Sequence, residues 1–155
     1  VKRIKLTQNK YALIDNCDYG YLNQWNWFYQ KHIHGRGGYA VRKVKGKAIY
    51  MHRIILERAG FKNFVQVDHI NQKKLDNRRC NLRSATVSQQ QHNRSIQRNN
   101  TSGYKGVHWC AGKWVARITI NKKRKYLGYF SSEKEAAKAY NEAALKYHGK
   151  FMCLE

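Results

Sequence analysis

Val67-Asp68-His69-Ile70-Asn71, then Lys74-Leu75-Asp76-Asn77-Arg78-Arg79, then Asn81-Leu82-Arg83 and Thr86, is the stretch on which the reading of the fold turns. The apolar run Phe64-Val65-Gln66-Val67 predicts a strand that delivers Asp68 and His69 at its end. A polar loop follows, and Asn81-Leu82-Arg83 returns as a second strand. Thr86-Val87-Ser88-Gln89 has the spacing of a capping box and predicts a helix over 87–97. Neighbouring residues on a strand face opposite ways, so Asp68 and His69 share a site only where the strand ends or twists. The Ile70-Asn71 loop supplies that place.

The chemistry of this stretch is that of phosphodiester cleavage. Water must lose a proton for attack while a cation neutralises the phosphate and the departing oxygen. An aspartate suits a hard cation such as Mg²⁺, which takes oxygen ligands and keeps several waters. A neighbouring histidine suits the base, because its ordinary pKa of about 6.5 is close to working pH.

Working outward, the N-terminal region reads as short strands: Ile4-Lys5-Leu6, Tyr11 to Ile14, an aromatic segment from Trp25 to Tyr29, and Tyr39 to Val44. Gly35-Arg36-Gly37-Gly38 and Lys45-Gly46-Lys47 mark turns, and residues 48–59 read as a strand running into a helix that Gly60 ends. The aromatics Trp25, Trp27, Phe28 and Tyr29 read as core packing rather than base stacking, because a small β-rich domain needs them inside. On the C-terminal side, the stretch from Ser95 to Ser102 lacks apolar residues apart from Ile96 and reads as a linker. Beyond it, Tyr104 to Trp109, Lys113 to Ile120 and Lys125 to Phe130 predict three strands, with hairpin turns at Ala111-Gly112 and Asn121 to Arg124. Ser132-Glu133-Lys134-Glu135 is a second capping box, and Ala136, Ala137, Tyr140, Ala143, Ala144 and Tyr147 recur at helical spacing up to Gly149. On the middle strand Lys113, Val115, Arg117 and Thr119 share one face, and Trp114, Ala116, Ile118 and Ile120 share the face that covers the helix.

The 155 residues carry 31 Lys plus Arg against 9 Asp plus Glu, a formal charge of +22. Such a charge repels itself and calls for a polyanionic partner, for which nucleic acid is the first choice. The excess is spread over all three regions, so a nucleic acid is expected to run along the whole molecule. At 42% hydrophobic and 13% aromatic the chain is too apolar for a disordered basic tail. The longest apolar runs, such as Ile54-Ile55-Leu56, fall far below the roughly 18 residues of a membrane span. No secretory signal is visible, so a cytoplasmic place beside the host cell's DNA is expected. Cys17, Cys80, Cys110 and Cys153 form no Cys-x-x-Cys pair, which argues against a zinc ribbon or redox motif.

The stretch quoted at the outset resembles the HNH nuclease motif of phage and mobile-element homing endonucleases, in which strand, loop, strand and helix form a ββα-metal site. The resemblance implies Asp68 as a metal ligand, His69 as general base, and Asn81 as the residue that holds the loop and orients the histidine. It implies one Mg²⁺ or Mn²⁺ per site. The last motif position, nine residues after Asn81, is usually Asn or His; here Gln90 stands there, with the same amide oxygen on a stem one methylene longer. Asn93 ranks second and His92 is the other substitute, though both are rotated around the helix. Arg78, Arg79 and Arg83 are expected to hold phosphates near the scissile bond. His52, in Met51-His52-Arg53, resembles a recurrent His-Arg of these endonucleases, and reads at least as well as a buried packing histidine as it does as a residue near phosphate.

Ser102-Gly103-Tyr104-Lys105-Gly106-Val107, Lys113-Trp114-Val115-Ala116-Arg117-Ile118, Tyr126-Leu127-Gly128-Tyr129-Phe130 and the Ala-rich helix resemble the APETALA-type, ethylene-response-factor-like DNA-binding domain. That family lays a three-stranded sheet in the major groove, where base edges differ in donor and acceptor pattern. By motif position the resemblance points to Lys105, His108, Arg117, Thr119, Arg124 and Tyr126 as DNA contacts. The plant domains carry Glu where Arg117 stands, so the base preference does not transfer.

The expectation is therefore an α+β chain: a small β-rich N-terminal region over 1–65, a ββα-metal motif over 66–97, a linker over 98–101, and over 102–155 a three-stranded antiparallel sheet packed on one helix. The function expected is a homing-type endonuclease cutting double-stranded DNA, as monomer or homodimer, with no membrane partner. The alternative is a DNA-binding regulator whose nuclease site has decayed, for which Gln90 is the supporting feature. An RNA-binding reading is weaker, since no RNP-type aromatic sheet or GXXG loop is present.

Overall fold

The computed structural model describes residues 1–32, 37–97 and 99–153. Gly35 and Arg36 of the expected turn, Arg98 of the expected linker and the last two residues lie outside the described residues. The chain is mixed α+β and divides into two compact units, Val1–Gln90 and Gln91–Glu155.

In the first unit, β1 (Lys2–Lys5) and β2 (Tyr11–Ile14) form an antiparallel hairpin. The next element, α1 (Asn16–Leu22), corrects the sequence reading, which placed only strands and turns before residue 48. Asn, Asp, Cys and Gly in it are poor helix formers, and the helix is held from outside, through buried Leu22 and the ion pairs of buried Asp18. Strands β3 (Phe28–Lys31), β4 (Gly38–Val44) and β5 (Lys47–Tyr50) make an antiparallel sheet in that order. Trp25 and Trp27 precede β3 rather than belonging to it. Trp27 is buried with its indole N–H donated to the Leu22 carbonyl at 2.8 Å, and Trp25 and Tyr29 pack on the same core, as the packing reading expects.

β5 runs directly into α2 (Met51–Arg58). Gly60, at φ 90°, ends that helix as expected, with the Phe61 N–H returning to the Leu56 carbonyl at 3.2 Å. Strands β6 (Gln66–His69) and β7 (Leu82–Ala85) pair antiparallel, Asp68 opposite Arg83 and His69 opposite Leu82. The capping box at Thr86 forms in both directions: the Gln89 amide accepts from Thr86 N–H at 2.8 Å, and the Thr86 hydroxyl accepts from Gln89 N–H at 3.2 Å. The helix it opens, α3 (Val87–His92), ends five residues earlier than the predicted 97. Asn93, Arg94 and Ser95 bring no apolar stripe to prolong it, and an isolated helix of this length gains little from propensity alone. The core of this unit joins Ile4, Ile14, Leu22, Trp27, Met51 and Ile55 with Val67 and Leu82 of the β6–β7 pair, which fixes that hairpin to the rest.

In the second unit, β8 (Val107–Cys110), β9 (Lys113–Ile120) and β10 (Lys123–Phe130) form an antiparallel sheet with β9 central. The predicted first strand begins three residues late. Tyr104 to Gly106 form a turn instead, in which the Ser102 hydroxyl donates to the Val107 carbonyl at 2.9 Å. Both hairpin turns place two residues at positive φ, Ala111-Gly112 and Asn121-Lys122, the mirror-image geometry that matches strand twist. Lys123 and Arg124, expected in the turn, already belong to β10. α4 (Glu133–His148) opens on a complete Ser132–Glu135 capping box and lays Ala136, Ala137, Tyr140, Ala143 and Ala144 on the sheet. Gly106, at φ 71°, lies so close to α4 that a Cβ there would overlap the Tyr140 ring and the Arg117 carbonyl.

Candidate active site and candidate nucleic-acid interface

The end of β6 presents Asp68 and His69, both buried. The His69 ring is held by Asn77, whose Oδ1 lies 3.0 Å from Nε2. An amide oxygen only accepts, so Nε2 carries the proton and the lone pair sits on Nδ1. Asn77 is itself fully buried, with its NH₂ directed at the Met51 sulfur at 3.5 Å. Burial pushes the His69 pKa down, against the opposing effects of the Asn77 bond and the Asp68 and Asp76 carboxylates. The net result is a neutral imidazole near pH 7.

Asn81 braces the loop between the strands. Its Oδ1 accepts from Asn71 N–H at 2.9 Å, its NH₂ donates to the Asp76 carbonyl at 2.7 Å, and its own carbonyl accepts from Ile70 N–H at 2.9 Å. Asn81 thus holds the loop, while the His69 ring is bonded to Asn77, a residue to which the sequence reading gave no role. The loop is tied back to the N-terminal hairpin by Leu13 N–H to the Leu75 carbonyl and Asn77 N–H to the Leu13 carbonyl, both 2.8 Å.

The three arginines expected on phosphate are each paired with a carboxylate. Arg78 forks onto Asp76 with both contacts at 2.7 Å, Arg79 forks onto buried Asp18 with both at 2.8 Å, and Arg83 reaches Oδ2 of Asp68 through Nε at 2.8 Å and an Nη at 2.6 Å. Burial raises the Asp18 pKa, but the bonds from Arg79 and Arg58 outweigh it and hold the carboxyl below its ordinary range. The Arg78 bond, acting against burial, holds Asp76 low as well.

Gln90 lies along β6, its amide NH₂ directed to the Val67 carbonyl at 3.3 Å, one residue before Asp68. That leaves Oε1 as its donor atom for a cation. A carboxylate and an amide oxygen are hard donors, and they fit Mg²⁺ or Mn²⁺, which take few protein ligands and complete their shells with water. No group of three or more His, Cys, Asp or Glu side chains suited to a metal occurs among the described residues. The two substitutes weighed for Gln90 fall in the second unit: Asn93 is buried there, and the His92 ring stacks on His148 with centroids 3.6 Å apart.

In the second unit, register places His108, Arg117, Thr119, Arg124 and Tyr126 on the sheet face turned away from α4. His108 lies opposite Val115, Tyr126 opposite Arg117, and Arg124 opposite Thr119. Burial, with a smaller effect from Arg117, lowers the His108 pKa. Lys105 is elsewhere engaged: its ammonium donates to the carbonyls of His92 at 2.6 Å and Arg94 at 2.7 Å. The sequence reading missed Tyr129. Strict alternation would set Tyr126 and Tyr129 on opposite faces, but a bulge at Leu127 shifts the register, so Tyr129 pairs with Val115 on the same face. The two rings are 61% and 66% exposed. Gly128, at φ 144°, is the signal that marks such a bulge in a strand.

No disulfide joins the cysteines, and no helix among the described residues is long and apolar enough to cross a membrane.

Comparison with known proteins finds likeness to two kinds. An uncharacterized HNH endonuclease of Acanthamoeba polyphaga mimivirus is 28% identical over 145 residues, covering 91% of this chain and 72% of that protein. An AP2-like ethylene-responsive transcription factor of Oryza sativa subsp. japonica is 32% identical over 124 residues, 74% of this chain. A second such factor, from Arabidopsis thaliana, is 50% identical over 52 residues, 31% of this chain. The chain spans only 18% and 9% of the lengths of these two plant proteins. No family model and no solved structure matches. The chain is therefore similar over most of its length to a protein named for an HNH endonuclease, and in part to proteins named for transcription factors.

Proposed function

We propose that the chain is a metal-dependent endonuclease of homing type acting on double-stranded DNA, with the ββα stretch of the first unit as its nuclease and the sheet of the second as its reader. One observation carries the reading. The β6–β7 hairpin and α3 gather a carboxylate, a histidine in a defined tautomer and an amide at one strand end, on a chain of charge +22.

In this reading His69 Nδ1 takes the proton of the attacking water while Asn77 holds Nε2. Asp68 and Gln90 hold a divalent ion, which when bound supplies positive charge to the phosphate and the leaving 3′ oxygen. Asn81 keeps the loop in place. Arg78 and Arg79 each spend two of five N–H groups on their carboxylates and offer others to neighbouring phosphates; Arg83 orients Asp68 and adds charge beside it. Lys105, His108, Arg117, Thr119, Arg124 and Tyr126 contact the duplex, Lys105 through the backbone it steadies. One site per chain cuts one strand unless two chains assemble.

A second reading, a DNA-binding regulator with a decayed nuclease, is favoured by Gln90 in the place of Asn or His and by the likeness to the plant factors. Incubating supercoiled plasmid carrying a target library with wild type and with His69→Ala, each with Mg²⁺, Mn²⁺ or chelator, separates the two. Nicked or linear product from wild type with metal alone is the expected result. Binding with no cleavage under any metal selects the regulator.

A further inference from the structure

The resemblance points to Lys105 as a DNA contact, yet its ammonium donates to two backbone carbonyls, those of His92 at 2.6 Å and Arg94 at 2.7 Å. His92 is the last residue of α3, and Arg94 lies two residues beyond it. The last carbonyls of a helix have no donor within it and carry the negative end of its dipole, so a lysine ammonium is a fitting group to complete such an end. α3 needs completing. With six residues and no buried side chain, it gains little from propensity or packing of its own.

The lysine stands on a fixed base. Tyr104 N–H donates to the Ser102 hydroxyl at 3.2 Å, the Asn100 amide donates to the Tyr104 carbonyl at 3.0 Å, and the Gly106 carbonyl accepts from Arg117 N–H on β9 at 2.9 Å. A second contact holds the same helix end. The His92 ring stacks on His148 at the end of α4, with centroids 3.6 Å apart and planes 11° from parallel, and His148 Nε2 lies 3.2 Å from the Thr119 carbonyl of β9. All of these contacts lie within the second unit, whose first residue is Gln91, so α3 begins in one unit and ends in the other. Moving the ammonium to a phosphate would strip two carbonyls at the helix end of their charged donor.

We propose that Lys105 is a positioning residue: it closes the C-terminal end of α3 from the second unit and, through the helix backbone, sets the place of Gln90 two residues before His92. The part that concerns Gln90 rests on the nuclease reading; the closure of the helix does not.

The full chain tests it with Lys105→Met, which keeps the stem and removes the charge, and Lys105→Arg, which restores a charged donor. Affinity for duplex DNA of unrelated sequence is first measured in chelator over a range of salt concentrations. Loss of a phosphate contact makes the slope of log affinity against log salt shallower by about one. The wild-type slope is expected in Lys105→Met, and a slope shallower by one overturns the proposal. Hydrogen exchange at the amides of Gln90 to Arg94 is expected to quicken about tenfold in Lys105→Met and to stay near wild type in Lys105→Arg; wild-type exchange in Lys105→Met overturns it. Mn²⁺ affinity without DNA, read from the paramagnetic signal of the free ion, is expected to fall about tenfold in Lys105→Met at unchanged melting temperature and to recover in Lys105→Arg. Unchanged affinity in Lys105→Met overturns the link to Gln90. If Lys105→Met does not fold, the wild-type ammonium decides: its ¹⁵N signal is expected to stay in place when DNA is added, and a shift overturns the proposal. If wild type binds no Mn²⁺, the nuclease reading falls, and the salt slope and hydrogen exchange still decide the closure of α3.

Discussion

The two units hold their candidate functional side chains in opposite ways. In the first they are buried or half-buried and bound to their neighbours: His69 to Asn77, Asp68 to Arg83, Arg79 to Asp18, Asn81 to the loop backbone. In the second all but Lys105 stand on the sheet face turned away from α4, with an apolar core of Val107, Ala116, Ile118 and the α4 alanines behind them. A reacting group needs one orientation and a low-water setting, which a closed polar network supplies at the cost of depending on every member. A reading surface needs reach and solvent contact, and its members are therefore more nearly independent.

That contrast sets the order of the following expectations. Asn77→Ala removes the bond that sets the His69 tautomer and is expected to lower kcat by about 100-fold, with duplex affinity in chelator unchanged; an equal loss in affinity would break the division between the units. Asp18→Asn deprives Arg79 and Arg58 of their charged partner. Both guanidiniums are about a third exposed and rehydrate, so the loss is expected to be about 2 kcal/mol rather than the full cost of a buried pair. Hydrogen exchange read residue by residue should show faster exchange in residues 1–90 and none of it in 91–155.

Acid should act on the first unit in the same direction. The folded-state pKa of His52 is about 3 against an ordinary 6.5, so the unfolded chain binds the extra proton and stability falls as pH drops from about 6.5 towards 3. From pH 6.5 to 5 this one group accounts for about 2 kcal/mol, and urea unfolding of wild type against His52→Phe should show a shallower pH slope in the variant. The smallest effect is expected on the sheet. Arg117→Ala and Tyr129→Ala should each weaken target affinity about tenfold while leaving kcat at saturating DNA unchanged, as measured by titration and single-turnover cleavage. A change in kcat would show that the reader and the nuclease are coupled.

The features legible in the sequence were those set by neighbours along the chain. Both capping boxes, the Gly60 stop, the hairpin turn at Ala111-Gly112, the second hairpin turn at Asn121 though not its end, and the two faces of β9 follow from local hydrogen bonding and the period of two. α1 was not legible, because its residues are poor helix formers and its stability comes from Leu22 and Asp18 packing elsewhere. Nor was the end of α3, where a weakly favoured helix simply stops. The role of Asn77 had no local signal: it is one more polar residue in a polar loop, and only the pairing of Leu13 with the 75–77 backbone carries it under His69.

By itself, then, the sequence determined the element types apart from α1, the strand–loop–strand–helix order of the stretch that holds Asp68, His69 and Gln90, and the charge that calls for a polyanion. Tertiary structure alone decided which amide holds the histidine, that His52 stands against it, that the basic loop is clasped by Asp18, Asp68 and Asp76, and that a bulge turns Tyr129 to the face of Tyr126. The physical reason is range: caps, turns and alternation are settled within four residues of chain, whereas a buried polar pairing depends on two distant segments meeting at hydrogen-bond distance, which no spacing encodes.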